Sequence, residues 1–202
     1  MADGFGYSNF LKLYFKYKDK NTKVGRGDAT QVFFGDFKLI DEQKVQDSSS
    51  EDDRYALFEA VHPKSKQKFL LQFIYIKETS HAKKYYEKYM KDSDFVVYQG
   101  HSGFGDNIET FKNVNFDDKY QSFLMVACSS LNYGTYPIYH AKKKSSPAEK
   151  GKNWDLIGSK NAAPLFSSEE TLEAYIDFYT EAWLLFGEDK SLSEFTYKKV
   201  NR

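Results

Sequence analysis

One cysteine in 202 residues excludes an internal disulfide framework and any zinc site built from several thiolates, and leaves Cys128 as a free thiol. Charge of one sign is also missing, since 29 Lys and Arg balance 29 Asp and Glu. With no net field to draw in nucleic acid or an anionic surface, no nucleic-acid partner is expected. No apolar run approaches the length of a bilayer span, and the N-terminus lacks the basic and then apolar pattern of a signal peptide. A soluble chain without membrane insertion is expected, with the compartment open between the cytoplasm and secretion after removal of a leader. His62, His81, His101, His140 and Cys128 form no close pair of the H-x-x-x-H or C-x-x-C kind, so no metal is expected. Neither GxxxxGK[ST] nor G-x-G-x-x-G occurs, so no nucleotide cofactor is expected. Internal repeats are absent, and the sequence says nothing about oligomeric state.

Aromatic residues, by contrast, are abundant, with 16 Tyr and 18 Phe, many of them alternating with Lys or Asp as half-buried strands do. The length suits a single α/β domain over 1–202, with an antiparallel β extension over 1–66 and an α/β core over 67–202. Along 9–18, apolar Leu11, Leu13, Phe15 and Tyr17 alternate with Lys12, Lys16 and Lys18, which predicts a strand of period two. Arg26-Gly27-Asp28 reads as an ordinary turn rather than an adhesion tripeptide. Further strands are predicted over 31–40 and 55–61. Between them the acidic, serine-rich stretch 47–53 lacks the alternating ligands of a calcium loop and reads as solvated. Residues 69–76, apolar on both faces, predict a central strand. Ser80 is placed to cap a helix over 81–90 that aligns Ala82, Tyr85, Tyr86 and Tyr89.

Later segments follow a strand and helix alternation: strands over 95–98 and 123–126, a helix over 133–144 and a strand over 153–159. A polar loop over 145–152 is open to proteolytic processing. Ser167 and Glu170 form a capping box that opens a helix to Phe186, with Leu172, Tyr175, Ile176, Tyr179 and Trp183 on one face and Gly187 as its stop.

The chemistry concentrates in 94–133. Phe95-Val96-Val97-Tyr98 stops at Gly100-His101-Ser102-Gly103, and Phe123-Leu124-Met125-Val126 stops at Ala127-Cys128-Ser129-Ser130. If these strands are parallel neighbours, an imidazole and the only thiol emerge together at their carboxyl ends, where open α/β sheets place their sites. A thiol attacks carbonyls as thiolate, and a nearby imidazole favours that form. The surrounding small residues leave backbone amides accessible, with Gly103 N–H and Cys128 N–H the candidates for an oxyanion hole. Taken singly, a cysteine at a strand end is a buried small hydrophobe and a histidine among glycines a loop residue. Gly100-His101-Ser102-Gly103-Phe104 also approaches the G-x-S-x-G elbow of α/β-hydrolases, which would make Ser102 the nucleophile.

Tyr98-Gln99-Gly100-His101-Ser102-Gly103 and Phe123-Leu124-Met125-Val126-Ala127-Cys128 together resemble the two catalytic segments of the caspase-like cysteine peptidases, a group that includes gingipains, caspases and separases. The bacterial gingipain-like branch is the nearest in character, with Ser102 standing where the motif has a glycine. The resemblance implies a mainly parallel sheet flanked by helices, His101 as general base and acid, and Cys128 as nucleophile. It further implies hydrolysis of a peptide or protein substrate through a thioester, without cofactor. In that family the strand after the cysteine partly lines the substrate pocket. Lys160 falls there and would favour an acidic side chain. The non-enzymatic rival is a caspase-like scaffold whose tyrosine-rich surface holds a partner.

Overall fold

The computed structural model describes residues 4–18, 37–43, 53–61, 66, 68–102, 106–147 and 153–161. The tripeptide at 26–28, Gly103, the stretch 148–152 and the helix expected over 167–186 lie outside the described residues, as does all but Asp53 of the acidic stretch 47–53. Two compact units divide the chain, one formed by Ile76–Ser168 with Met1–Ala2, the other by Asp3–Tyr75 with Glu169–Arg202.

Among its described residues the second unit holds one helix and an antiparallel sheet. Helix α1 (Gly4–Lys18) replaces the strand expected over 9–18. The apolar residues there satisfy two periods at once, and packing chooses the helical one. Phe10, Leu13, Tyr14 and Tyr17, spaced by three and four, are buried, while Phe15 of the period-two set is 56% exposed. Strands β1 (Lys38–Gln43), β2 (Arg54–Val61) and β3 (Lys68–Tyr75) form a sheet in that order. Among the described residues the run over 69–76 is therefore an edge of the sheet and β2 its centre, where the sequence predicts a central strand. Its apolar character answers to the rings of α1. Tyr17 packs against Phe73 at 5.4 Å and Phe58 at 6.0 Å, and Tyr7 against Tyr75 at 5.5 Å. Tyr14 donates to Glu42 and accepts from Lys18, joining α1 to β1. Burial and the Glu42 carboxylate push its hydroxyl above the usual tyrosine range.

The first unit has the α/β pattern. It opens with α2 (Thr79–Tyr85), prolonged by a π-helical turn (Tyr86–Met90). Glu78, not Ser80, is the N-cap, and no side chain caps it. Strand β4 (Phe95–Gln99) follows, then α3 (Asp106–Glu109) and a 3-10 turn (Thr110–Asn113). Strand β5 (Gln121–Val126), helix α4 (Ser130–Ser145) and strand β6 (Trp154–Gly158) complete it. The order is β4-β5-β6, parallel throughout, with Val96 opposite Phe123 and Phe123 opposite Leu156. The central strand β5 is buried from Gln121 to Met125, as a parallel strand covered on both faces must be. Phe123 and Met125 pack with Ile138 and Ala141 of α4 and with Phe111, whose ring stacks on Tyr86 at 4.6 Å.

At the amino end of β5 two buried polar side chains satisfy each other and the surrounding backbone. Lys142 of α4, fully buried, donates to the carbonyls of Asp117 (2.8 Å) and Lys119 (2.6 Å) and to Gln121 Oε1 (3.0 Å). Gln121 Nε2 donates in turn to the carbonyls of Met90 (3.0 Å) and Ser93 (2.6 Å). Three ammonium hydrogens thus meet three acceptors, and the loop before β5 is pinned to α4. Burial lowers the Lys142 pKa to about 8, against an opposing pull from Asp117 and Asp118. No helix among the described residues is long and apolar enough to cross a membrane.

Candidate functional site

The carboxyl ends of β4, β5 and β6 carry the candidate residues. Gln99 pairs with Val126 in the parallel ladder, a pair completed by Gly100 N–H donating to the Val126 carbonyl at 3.3 Å. His101 and Cys128 each lie two residues past that last pair, beyond the carboxyl ends of adjacent strands whose spacing is about 4.8 Å. His101 is exposed and Cys128 half-buried.

Cys128 occupies a sharp strand-to-helix turn. Ser129, the N-cap of α4, has left-handed backbone (φ 49°, ψ 28°), a conformation that costs a non-glycine residue about 1 kcal/mol or more and so must be held from outside. The segment after β6 does so. Ser129 N–H donates to the Asn161 carbonyl at 2.8 Å and Leu131 N–H to the Ser159 carbonyl at 3.0 Å. Ser130 Oγ donates to the Met125 carbonyl (2.7 Å) and accepts from Ser159 N–H (3.0 Å). Close approach requires Gly158, where a Cβ would stand 3.0 Å from both Leu131 N and Ser130 Oγ. Lys160, exposed, lies between the two residues whose carbonyls make these contacts.

His101 is held by a different set. Its carbonyl accepts from Tyr98 OH (2.7 Å) and from Asn107 Nδ2 (2.9 Å). Asn107 N–H donates to the next carbonyl, that of Ser102, at 3.3 Å. Burial pushes the Tyr98 hydroxyl up to about 12, so it stays a donor across the physiological range. Ser102, the alternative nucleophile, is only 6% exposed. The turn with a left-handed residue between strand and helix belongs to Cys128-Ser129 instead.

The candidate residues on β4, β5 and β6 thus converge on one end of one sheet. The Cys128 amide lies in the β5–α4 turn, whereas Gly103 falls outside the described residues. Sequence reasoning missed Tyr98, Asn107, Ser129, Ser130, Gly158 and Asn161, since no short motif marks a side chain that serves a backbone group across the fold. Among the described residues no three His, Cys, Asp or Glu cluster as a metal site. No protein-family model matches the chain, and neither curated proteins nor solved structures yield a significant match.

Proposed function

We propose that the chain is a cysteine peptidase or closely related amide hydrolase of caspase-like architecture, acting through a Cys128–His101 dyad. The observation that supports this most directly is the in-register parallel pairing of β4 and β5, with Gly100 N–H on the Val126 carbonyl. An exposed histidine and a half-buried cysteine therefore follow the carboxyl ends of two adjacent strands, which supports the reading. In the proposed cycle His101 takes the thiol proton and Cys128 Sγ adds to the substrate carbonyl. Backbone amides, with Cys128 and Gly103 N–H as candidates, receive the developing oxyanion. His101 then protonates the leaving amine as the thioester forms, and water assisted by His101 releases the acid. Lys160, beside the Cys128 turn, gives the site a preference for acidic side chains in the substrate.

Burial of Ser102 favours the thiol over the serine as nucleophile. The test applies iodoacetamide and a fluorophosphonate in parallel at neutral pH, with intact mass read over time and hydrolysis of a fluorescent casein followed alongside. Rapid single alkylation at Cys128, slowed at least tenfold in His101→Ala together with casein hydrolysis, supports the dyad. Fluorophosphonate labelling of Ser102 overturns it in favour of a serine hydrolase. Sluggish reaction with both reagents and no hydrolysis leaves a partner-binding scaffold.

A further inference from the structure

We infer that Tyr98 and Asn107 are positioning residues for His101, forming a two-donor clamp that sets the imidazole over the Cys128 turn. This rests on the dyad reading and adds to it the groups that hold the base in place.

The chain is tied on both sides of His101. One peptide before it, Gly100 N–H is bound to β5 through the Val126 carbonyl. On its carboxyl side, the His101 carbonyl accepts two hydrogens, from Tyr98 OH at 2.7 Å and Asn107 Nδ2 at 2.9 Å, which occupies both lone pairs. One residue further, the Ser102 carbonyl takes the backbone N–H of the same Asn107. A single asparagine therefore grips two consecutive carbonyls, while the Tyr98 side chain reaches forward along its own strand to share the first.

Both donors have rigid support. Tyr98 meets Phe111 edge-on at 5.9 Å, and Phe111 is fully buried and stacked on Tyr86. The Tyr98 hydroxyl sits 3.2 Å from where a Cβ on Gly100 would be, so a side chain there would push the hydroxyl by a few tenths of an ångström. Asn107 stands in the short α3 helix next to Ile108, itself fully buried.

These bonds stabilise the fold whatever side chain stands at 101, and a merely exposed imidazole gains no function from them. A proton-transferring histidine does gain, because its rate depends on holding the ring within a fraction of an ångström and a few tens of degrees of the productive geometry. The carbonyl that fixes the peptide plane also fixes the direction in which the Cα–Cβ bond leaves it.

The test measures the rate of Cys128 alkylation by iodoacetamide from pH 5 to 10 in the full-length chain. Wild type, His101→Ala, Tyr98→Phe, Asn107→Ala and the double variant Tyr98→Phe/Asn107→Ala are compared, with thermal melts on each. Tyr98→Phe keeps the ring against Phe111 and removes only the hydroxyl. The single variants are expected to slow alkylation at pH 7 about fivefold each, the factor carried by one neutral hydrogen bond. In the double variant the rate should rise with pH along the His101→Ala profile, although His101 is present. Should His101→Ala slow the reaction while both single variants and the double variant keep the wild-type profile, the clamp is overturned and the dyad stands. Should His101→Ala itself leave the profile unchanged, the dyad fails and the clamp with it. If the double variant does not fold, the two single variants decide by the same criterion. A loss of melting temperature with an unmoved pH profile marks a purely structural role and overturns the inference.

Discussion

Gly100 donates its backbone N–H to the Val126 carbonyl at 3.3 Å, the bond that completes the Gln99–Val126 pair at the end of β4. It closes the parallel ladder there, and His101 and Cys128 each follow that pair by two residues, beyond the carboxyl ends of β4 and β5.

The two glycines of this unit that meet the sheet and α4 should respond oppositely to alanine. At Gly158 the new methyl would stand 3.0 Å from Leu131 N and Ser130 Oγ, and a backbone nitrogen cannot move aside without breaking the Leu131 N–H to Ser159 contact. Gly158→Ala is expected to destabilise by about 1–3 kcal/mol. At Gly134, inside α4, the methyl meets Leu156, Ile108 and Met125 at 3.7–3.8 Å, ordinary contact. Gly134→Ala is expected to stabilise by about 0.5–1 kcal/mol through helix propensity. Urea unfolding of both variants checks the opposite signs.

Replacing Lys142 by Met removes three donors, taking the partner from the Asp117 carbonyl and Gln121 Oε1, while the Lys119 carbonyl keeps Asn153 Nδ2 at 3.2 Å. A loss of about 2–4 kcal/mol is expected, measured by urea unfolding at pH 7. The pH dependence has a definite sign. The folded pKa is lowered to about 8 from the ordinary lysine value of 10.5, so the unfolded chain holds the proton more tightly. The stability conferred by this group therefore grows as pH rises from about 8 towards 10.5, and below that window it is smaller and independent of pH. The difference in urea midpoint between wild type and Lys142→Met should widen over that range; a constant difference would refute the assignment.

Ser130 joins the end of β5 to the segment after β6, giving its hydrogen to the Met125 carbonyl and accepting from Ser159 N–H. Ser130→Ala leaves both buried groups short of a partner and is expected to cost about 1–3 kcal/mol. Because the same segment holds Ser129 in its left-handed conformation, the variant should also lose protection of the Ser129 and Leu131 amides. Hydrogen exchange read by NMR checks this, and unchanged protection at both positions would show that the turn holds without the serine.

Much of the site was legible in the residues themselves. Short β-branched and aromatic runs bounded by small residues located β4 and β5, and their stops placed His101 and Cys128 at strand ends. Period alone could not decide 9–18, where Leu11, Leu13, Phe15 and Tyr17 alternate while Phe10, Leu13, Tyr14 and Tyr17 recur by three and four. The choice between them fell to a partner, the aromatic face of β2 and β3, that lies tens of residues away. For the same reason the run over 69–76 read as a central strand, since apolar content reports burial and not position in a sheet.

From composition and local pattern come a lone thiol, a balanced charge, the strands and helices around 95–158 and the two side chains at their ends. Only the folded chain decided that β4 and β5 are parallel and in register, and that Ser159 and Asn161 secure the Cys128 turn. It alone also decided that Tyr98 and Asn107 share one carbonyl. These are hydrogen bonds between backbone groups and distant side chains. Every residue carries the same backbone groups, so nothing in the order of amino acids marks which of them will meet.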